Sequence, residues 1–82
     1  MKKVEEIKVK RVLANLFKIS LDKINDETSI DSIEEWDSLK HLKLVLALED
    51  ELQISFTEEE TIEIISYPLI KETLKQHEIE LV

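Results

Sequence analysis

Trp36-Asp37-Ser38-Leu39-Lys40-His41-Leu42-Lys43-Leu44-Val45-Leu46-Ala47-Leu48-Glu49-Asp50-Glu51-Leu52 is the run from which the fold of this 82-residue chain is read. Leu39, Leu42 and Leu46, with Val45, Leu48 and Leu52, recur at helical spacing, and Leu44 and Ala47 widen the apolar face, so the run predicts a helix over 38–52. Asp37 or Ser38 is the expected cap at its start. Glu49, Asp50 and Glu51 crowd its other end, where the helix dipole disfavours negative charge.

Upstream, Val9, Val12, Leu13 and Leu16 predict a helix over 3–17. Residues 18–37 form a long connection. Ser20 can cap a short turn carrying Leu21 and Ile24, and Ile24, Ile30 and Ile33 are expected to pin the segment to the core. A connection this long in so small a domain is usually functional or disordered, and the pins favour function. Downstream, Ile54 and Phe56 are expected anchors. Thr57 and Glu60 have capping-box spacing for a short helix over 58–65 with Ile62, Ile64 and Ile65. Pro68 suits the first turn of a last helix over 68–77, with Leu69, Ile70, Leu74 and the stem of Lys71 facing inward. Residues 78–82 are expected to fray. The chain has one proline and no glycine, which disfavours the tight turns of a β-rich fold. The expected fold is therefore all-α: one domain over 1–82, a small bundle of three main helices plus one short helix, with a long first loop.

Composition narrows function. A domain of this size holds one thin core and little room for a deep cleft. With no cysteine there is no disulfide, thiolate metal site or cysteine nucleophile. His41 and His77 lie far apart in sequence and make no case for zinc, so both are expected at the surface and no metal site is expected. Nor is any calcium-loop pattern with its glycine present. The N-terminus is charged where a signal peptide would be apolar, and no apolar run is long enough to cross a membrane. A cytoplasmic, soluble protein is the expectation. Net charge is −8, divided as +3 over residues 1–11 and −11 over the rest. An acidic body argues against nucleic acid and favours partners with basic docking patches.

At the junction of loop and helix stands Asp37-Ser38-Leu39. A hydroxyl there lies among unpaired backbone N–H groups, where a phosphodiester is electrostatically at home. With its flanks, this segment resembles the acyl carrier protein family. Asp37-Ser38-Leu39 matches the Asp-Ser-Leu signature, Leu44-Val45-Leu46-Ala47-Leu48-Glu49-Asp50-Glu51-Leu52 resembles the family's second helix, and the likeness in element order covers nearly the whole chain. The resemblance implies that a separate phosphopantetheinyl transferase esterifies Ser38 with 4′-phosphopantetheine from coenzyme A. The thiol of the arm then carries acyl groups as thioesters between acyl-loading and acyl-transferring enzymes, on a monomeric carrier that is not itself an enzyme. Asp31-Ser32-Ile33 looks similar, but no amphipathic helix follows it directly and Ser32 is expected to stay unmodified.

Two departures from the family point away from housekeeping fatty-acid synthesis. Glu35 stands where fatty-acid carriers commonly have glycine. Lys40-His41-Leu42-Lys43 makes the start of the second helix locally positive where fatty-acid carriers present acids. Lys40, His41 and Lys43 are accordingly the candidate partner-docking residues, together with Trp36, whose first reading is a partly buried loop anchor and whose alternative is a docking contact, and a specialised pathway is expected: polyketide, non-ribosomal peptide, or polysaccharide or lipid modification. The alternative function is an acidic helical adaptor that binds a protein partner without a prosthetic group. An enzyme built on Ser38, His41 and Asp37 is disfavoured, because neighbours at one helix start do not easily form a nucleophile–base–orienter line.

Overall fold

The computed structural model describes residues 2–82. Its longest element is the helix read first. Asp37 sits in extended backbone and its carboxylate accepts from the Lys40 amide at 2.8 Å, which starts the helix Ser38–Leu52 (α2). Gln53 ends it in a left-handed conformation (φ 56°), its amide returning to the Glu49 carbonyl. The acids crowded at this end meet two compensations. The Lys2 ammonium donates to the Leu52 carbonyl at 3.0 Å, and one Glu49 carboxylate oxygen accepts the Phe56 amide at 2.7 Å, so Glu49 caps the next connection.

The preceding helix, Glu6–Phe17 (α1), buries Val9, Leu13, Ala14 and Phe17. Val9, Leu13 and Phe17 pack against Leu44, Val45, Leu48 and Leu52 of α2 in one apolar cluster. Each such side chain contributes about 1.5–3 kcal/mol when fully buried. α1 also closes on a left-handed residue, Lys18 (φ 56°). The long connection then makes one 3₁₀ turn, Leu21–Lys23. Ile24 and Ile33 are buried and Ile30 packs half-buried on the same cluster, as the pins require. Thr28 is buried too, its hydroxyl accepting from the Asn25 amide and donating to the Lys23 carbonyl. The Ile30 amide donates to the Ile65 carbonyl and the Tyr67 amide to the Thr28 carbonyl, which lashes the loop to the start of the last helix.

Thr57 and Glu60 form both halves of a capping box at the head of Glu58–Glu63 (α3). α3 stops short of the expected 65, and of its isoleucines only Ile64, just past its end, is buried; Ile62 is 72% exposed. Ser66 caps Tyr67–Gln76 (α4) through the Leu69 amide, with Pro68 in the first turn. Ile70 and Leu74 face inward as expected, whereas Leu69 faces out and Tyr67 takes its place in the core.

The all-α expectation fails at the two ends of the chain. Residues Lys2–Val4 (β1) and Ile79–Leu81 (β2) pair as a two-stranded parallel sheet, with Lys2 opposite Ile79 and Val4 opposite Leu81. The Lys2 amide donates to Glu78, the Val82 amide to Val4 and the Glu6 amide to Val82, each at 2.9 Å. These bonds hold residues 2–4 out of the helix predicted from 3. They also order the segment expected to fray. Val4 and Ile79 point into the core and supply the apolar reason for the pairing. The fold is thus a mostly helical bundle clamped by a short parallel ribbon. Among the described residues no helix is long and apolar enough to cross a membrane.

Candidate functional site

Ser38 is the first residue of α2 and is exposed. Its hydroxyl makes no hydrogen bond among the described residues, and intrahelical pairing begins only with the His41 amide, which donates to the Asp37 carbonyl at 2.8 Å. Asp37 takes the Lys40 amide. The amides of Ser38 and Leu39 therefore stay open beside the hydroxyl, at the positive end of a 15-residue helix. The decoy serine differs in kind. The Ser32 hydroxyl accepts from the Ser29 amide at 2.8 Å and donates to the Ser29 carbonyl at 3.1 Å, so it is spent on a local turn.

Leu39, Leu42 and Leu46, expected on the buried face, are 61%, 54% and 57% exposed. Eight of the fifteen residues of α2 are apolar, more than one face can bury at 100° per residue. The core takes Leu44, Val45, Leu48 and Leu52, and the other three leucines form a second, outward stripe beginning next to Ser38.

The candidate docking residues divide. Trp36 is 3% exposed and stacks on Phe17 with ring centroids 4.9 Å apart, so it is a core anchor of the loop and presents no outer surface. The Lys40 ammonium reaches back to the Leu16 carbonyl at 3.3 Å, tying α2 to the end of α1. Lys43 is exposed. His41, expected at the surface, is half-buried and bridges two elements. The Trp36 indole nitrogen donates to its Nδ1 at 3.0 Å, and its Nε2 lies 2.6 Å from the Thr61 carbonyl of α3. An indole N–H can only donate, so Nδ1 is the acceptor and Nε2 carries the proton given to Thr61. Both ring nitrogens are thereby committed, and neither serves Ser38.

His77 is also half-buried. Its Nε2 pairs with Glu60 at 3.0 Å and its ring meets Phe56 edge-on at 5.6 Å. The backbone amide of Thr57 and the side chain of His77 hold the Glu60 carboxyl below its ordinary value. Among the described residues no three His, Cys, Asp or Glu side chains gather where they could hold a metal ion.

The residues present do suit one covalent group. A free hydroxyl, two open amides and a helix dipole together accommodate a phosphodiester on Ser38, and the leucine stripe alongside gives an attached chain or a docked partner an apolar face. Sequence reading placed Asp37 at the cap and Ser38 at the start of α2 but missed the outward stripe and the His41 bridge. The stripe had a signal, the excess of apolar positions in α2; the bridge had none, because Thr61 contributes a backbone carbonyl. The chain matches no model of a known protein family. No curated protein matches it significantly.

Proposed function

We propose that this chain is an acyl carrier, with Ser38 the attachment residue for 4′-phosphopantetheine. The observation that carries the reading is the Ser38 hydroxyl itself: exposed, without a hydrogen-bond partner among the described residues, and set at the first position of the longest helix by a loop pinned at Ile24, Ile33 and Trp36. Ser38 would hold the group, the Ser38 and Leu39 amides would face its phosphate, and Asp37 fixes the helix start that aims them. The group supplies a thiol on which acyl chains ride as thioesters. The transferase that loads it and the enzymes that charge and discharge it are the partners of this reading, in a cytoplasmic setting.

Docking falls to the outward face of α2, where Leu39, Leu42 and Leu46 stand beside the exposed Lys43. With Lys40 partly engaged at Leu16, Lys43 is the cation most free to meet a partner, and partners built for an acidic helix would be repelled there. That favours a specialised pathway over the housekeeping fatty-acid synthase.

Incubation with coenzyme A and a broad-specificity phosphopantetheinyl transferase, followed by intact-mass spectrometry, tests the assignment. Wild type gains the mass of one arm and Ser38→Ala gains none. Labelling of the variant, or failure to label wild type, ends the carrier reading. The exposed leucines also favour a second reading, an adaptor that binds a protein through this stripe without any prosthetic group. It expects Ser38→Ala to keep, and Leu42→Ser to lose, the binding partner.

A further inference from the structure

We propose that His41 is a latch that holds only while neutral, and that its protonation releases Trp36 and loosens the turn presenting Ser38. The bridge runs from the loop through the first turn of α2 to α3: Trp36 Nε1–H to His41 Nδ1 at 3.0 Å, and His41 Nε2–H to the Thr61 carbonyl at 2.6 Å. Addition of a proton to Nδ1 turns both ring nitrogens into donors. The Thr61 side of the bridge survives, since a charged donor still finds its carbonyl. On the Trp36 side an N–H would face an N–H, so that bond cannot form. Protonation therefore cuts one side selectively, and it is the side that leads to Ser38.

No anion pairs with the charge. Among the described residues no carboxylate lies within ion-pairing distance of His41. On its own helix Asp37 is bonded to the Lys40 amide, and the Lys40 ammonium to Leu16. On α3 Glu60 is bonded to Thr57 and His77, and Glu58, Glu59 and Glu63 are exposed, as is Glu35 of the loop. Trp36 is 3% exposed, so its indole N–H, once released, finds no water without movement of the loop. One residue separates Trp36 from Ser38, and the cap on Asp37 lies between them. The loop is thus held by neutral His41 and given slack by charged His41. The inference concerns the unmodified chain and does not depend on the carrier reading.

Trp36 is the sole tryptophan, so its emission reports this bond directly. Titration of wild type from about pH 8 to about pH 5 spans the range in which an imidazole changes charge. The expected result is a single-proton red shift that His77→Asn retains and His41→Asn abolishes, because the side-chain oxygen of the substituted asparagine accepts from the indole at any pH in that range. A flat wild-type titration, a step that survives His41→Asn, or a step lost with His77→Asn overturns the proposal. Should His41→Asn not fold, nitrogen NMR of the wild-type ring decides it. The neutral ring must carry its proton on Nε2 and the Trp36 indole resonance must titrate with the ring; the Nδ1–H form, or an unmoved indole resonance, refutes the latch.

Discussion

Replacing Tyr67 with phenylalanine removes one oxygen and tests what ties the first helix to the last. The Tyr67 ring is buried, and its hydroxyl donates to a Glu6 carboxylate oxygen at 2.6 Å. A hydrogen bond to a charged group contributes about 1.5–3 kcal/mol. Glu6 is only half-buried and turns to water once its donor is gone, which places the loss at the lower end, about 1.5–2 kcal/mol. Lys10 and Lys71 lie over the ring at 5.9 and 5.0 Å, and phenylalanine keeps those contacts. In a domain of this size the loss lowers Tm by about 6–16 °C. Urea unfolding of wild type, Tyr67→Phe, Glu6→Gln and the double variant gives the coupling directly, expected at about 1 kcal/mol. A loss under about 0.5 kcal/mol, or full additivity, refutes the clamp. Burial and the Glu6 carboxylate also push the Tyr67 hydroxyl pKa upward. The unfolded chain releases this proton near about pH 10 while the folded chain keeps it. Stability from this group is therefore complete below about pH 10 and declines above it, a decline that Tyr67→Phe removes.

The other expectations are more local. Asp37→Ala loses the cap on the Lys40 amide and costs about 1 kcal/mol in urea unfolding, whereas Asp37→Asn is nearly neutral. The Glu60 carboxyl sits below its ordinary value, so its contribution is present above the unfolded value of about 4.3 and is lost as pH falls through the folded one. Glu60→Gln keeps the capping box and flattens that acid limb, as thermal unfolding across pH will register. Leu39→Ser or Leu46→Ser shifts stability by less than about 0.5 kcal/mol, but Leu44→Ala or Leu48→Ala costs about 2–5 kcal/mol, which checks the rotational setting of α2.

What the sequence made legible were features with local causes. Asp37 and the apolar period set α2 at 38–52, Thr57 and Glu60 announced their capping box, and Pro68 marked the first turn of α4. The ribbon escaped because its cause is not local. Val4 continues the helical spacing of α1, and Ile79 and Leu81 are too few to show alternation. What decides them is the pairing of Lys2 with Ile79 and of Val4 with Leu81, between segments at opposite ends of the chain. Leu69 was misplaced because its spacing with Ile70 and Leu74 fits the inward face as well as that of Tyr67. Around the candidate site, the place of Ser38 at the start of α2 was readable from the loop–helix junction. Trp36 is buried, as its reading as a loop anchor expected, while its stacking on Phe17 and the bridging of His41 to Thr61 follow from no spacing rule.

The parallel ribbon also bears on how the molecule is made. Lys2–Val4 leave the ribosome well before their strand partner, Ile79–Leu81, is synthesised, so α1 and α2 meet while β1 lacks that partner. The Lys2 ammonium that closes the end of α2 is positioned by that same late pairing. The nascent bundle therefore carries a strand without its partner, and an α2 end without its Lys2 contact, until residues 79–82 arrive, and a ribosome stalled short of them would hold a loosened species open to chaperones.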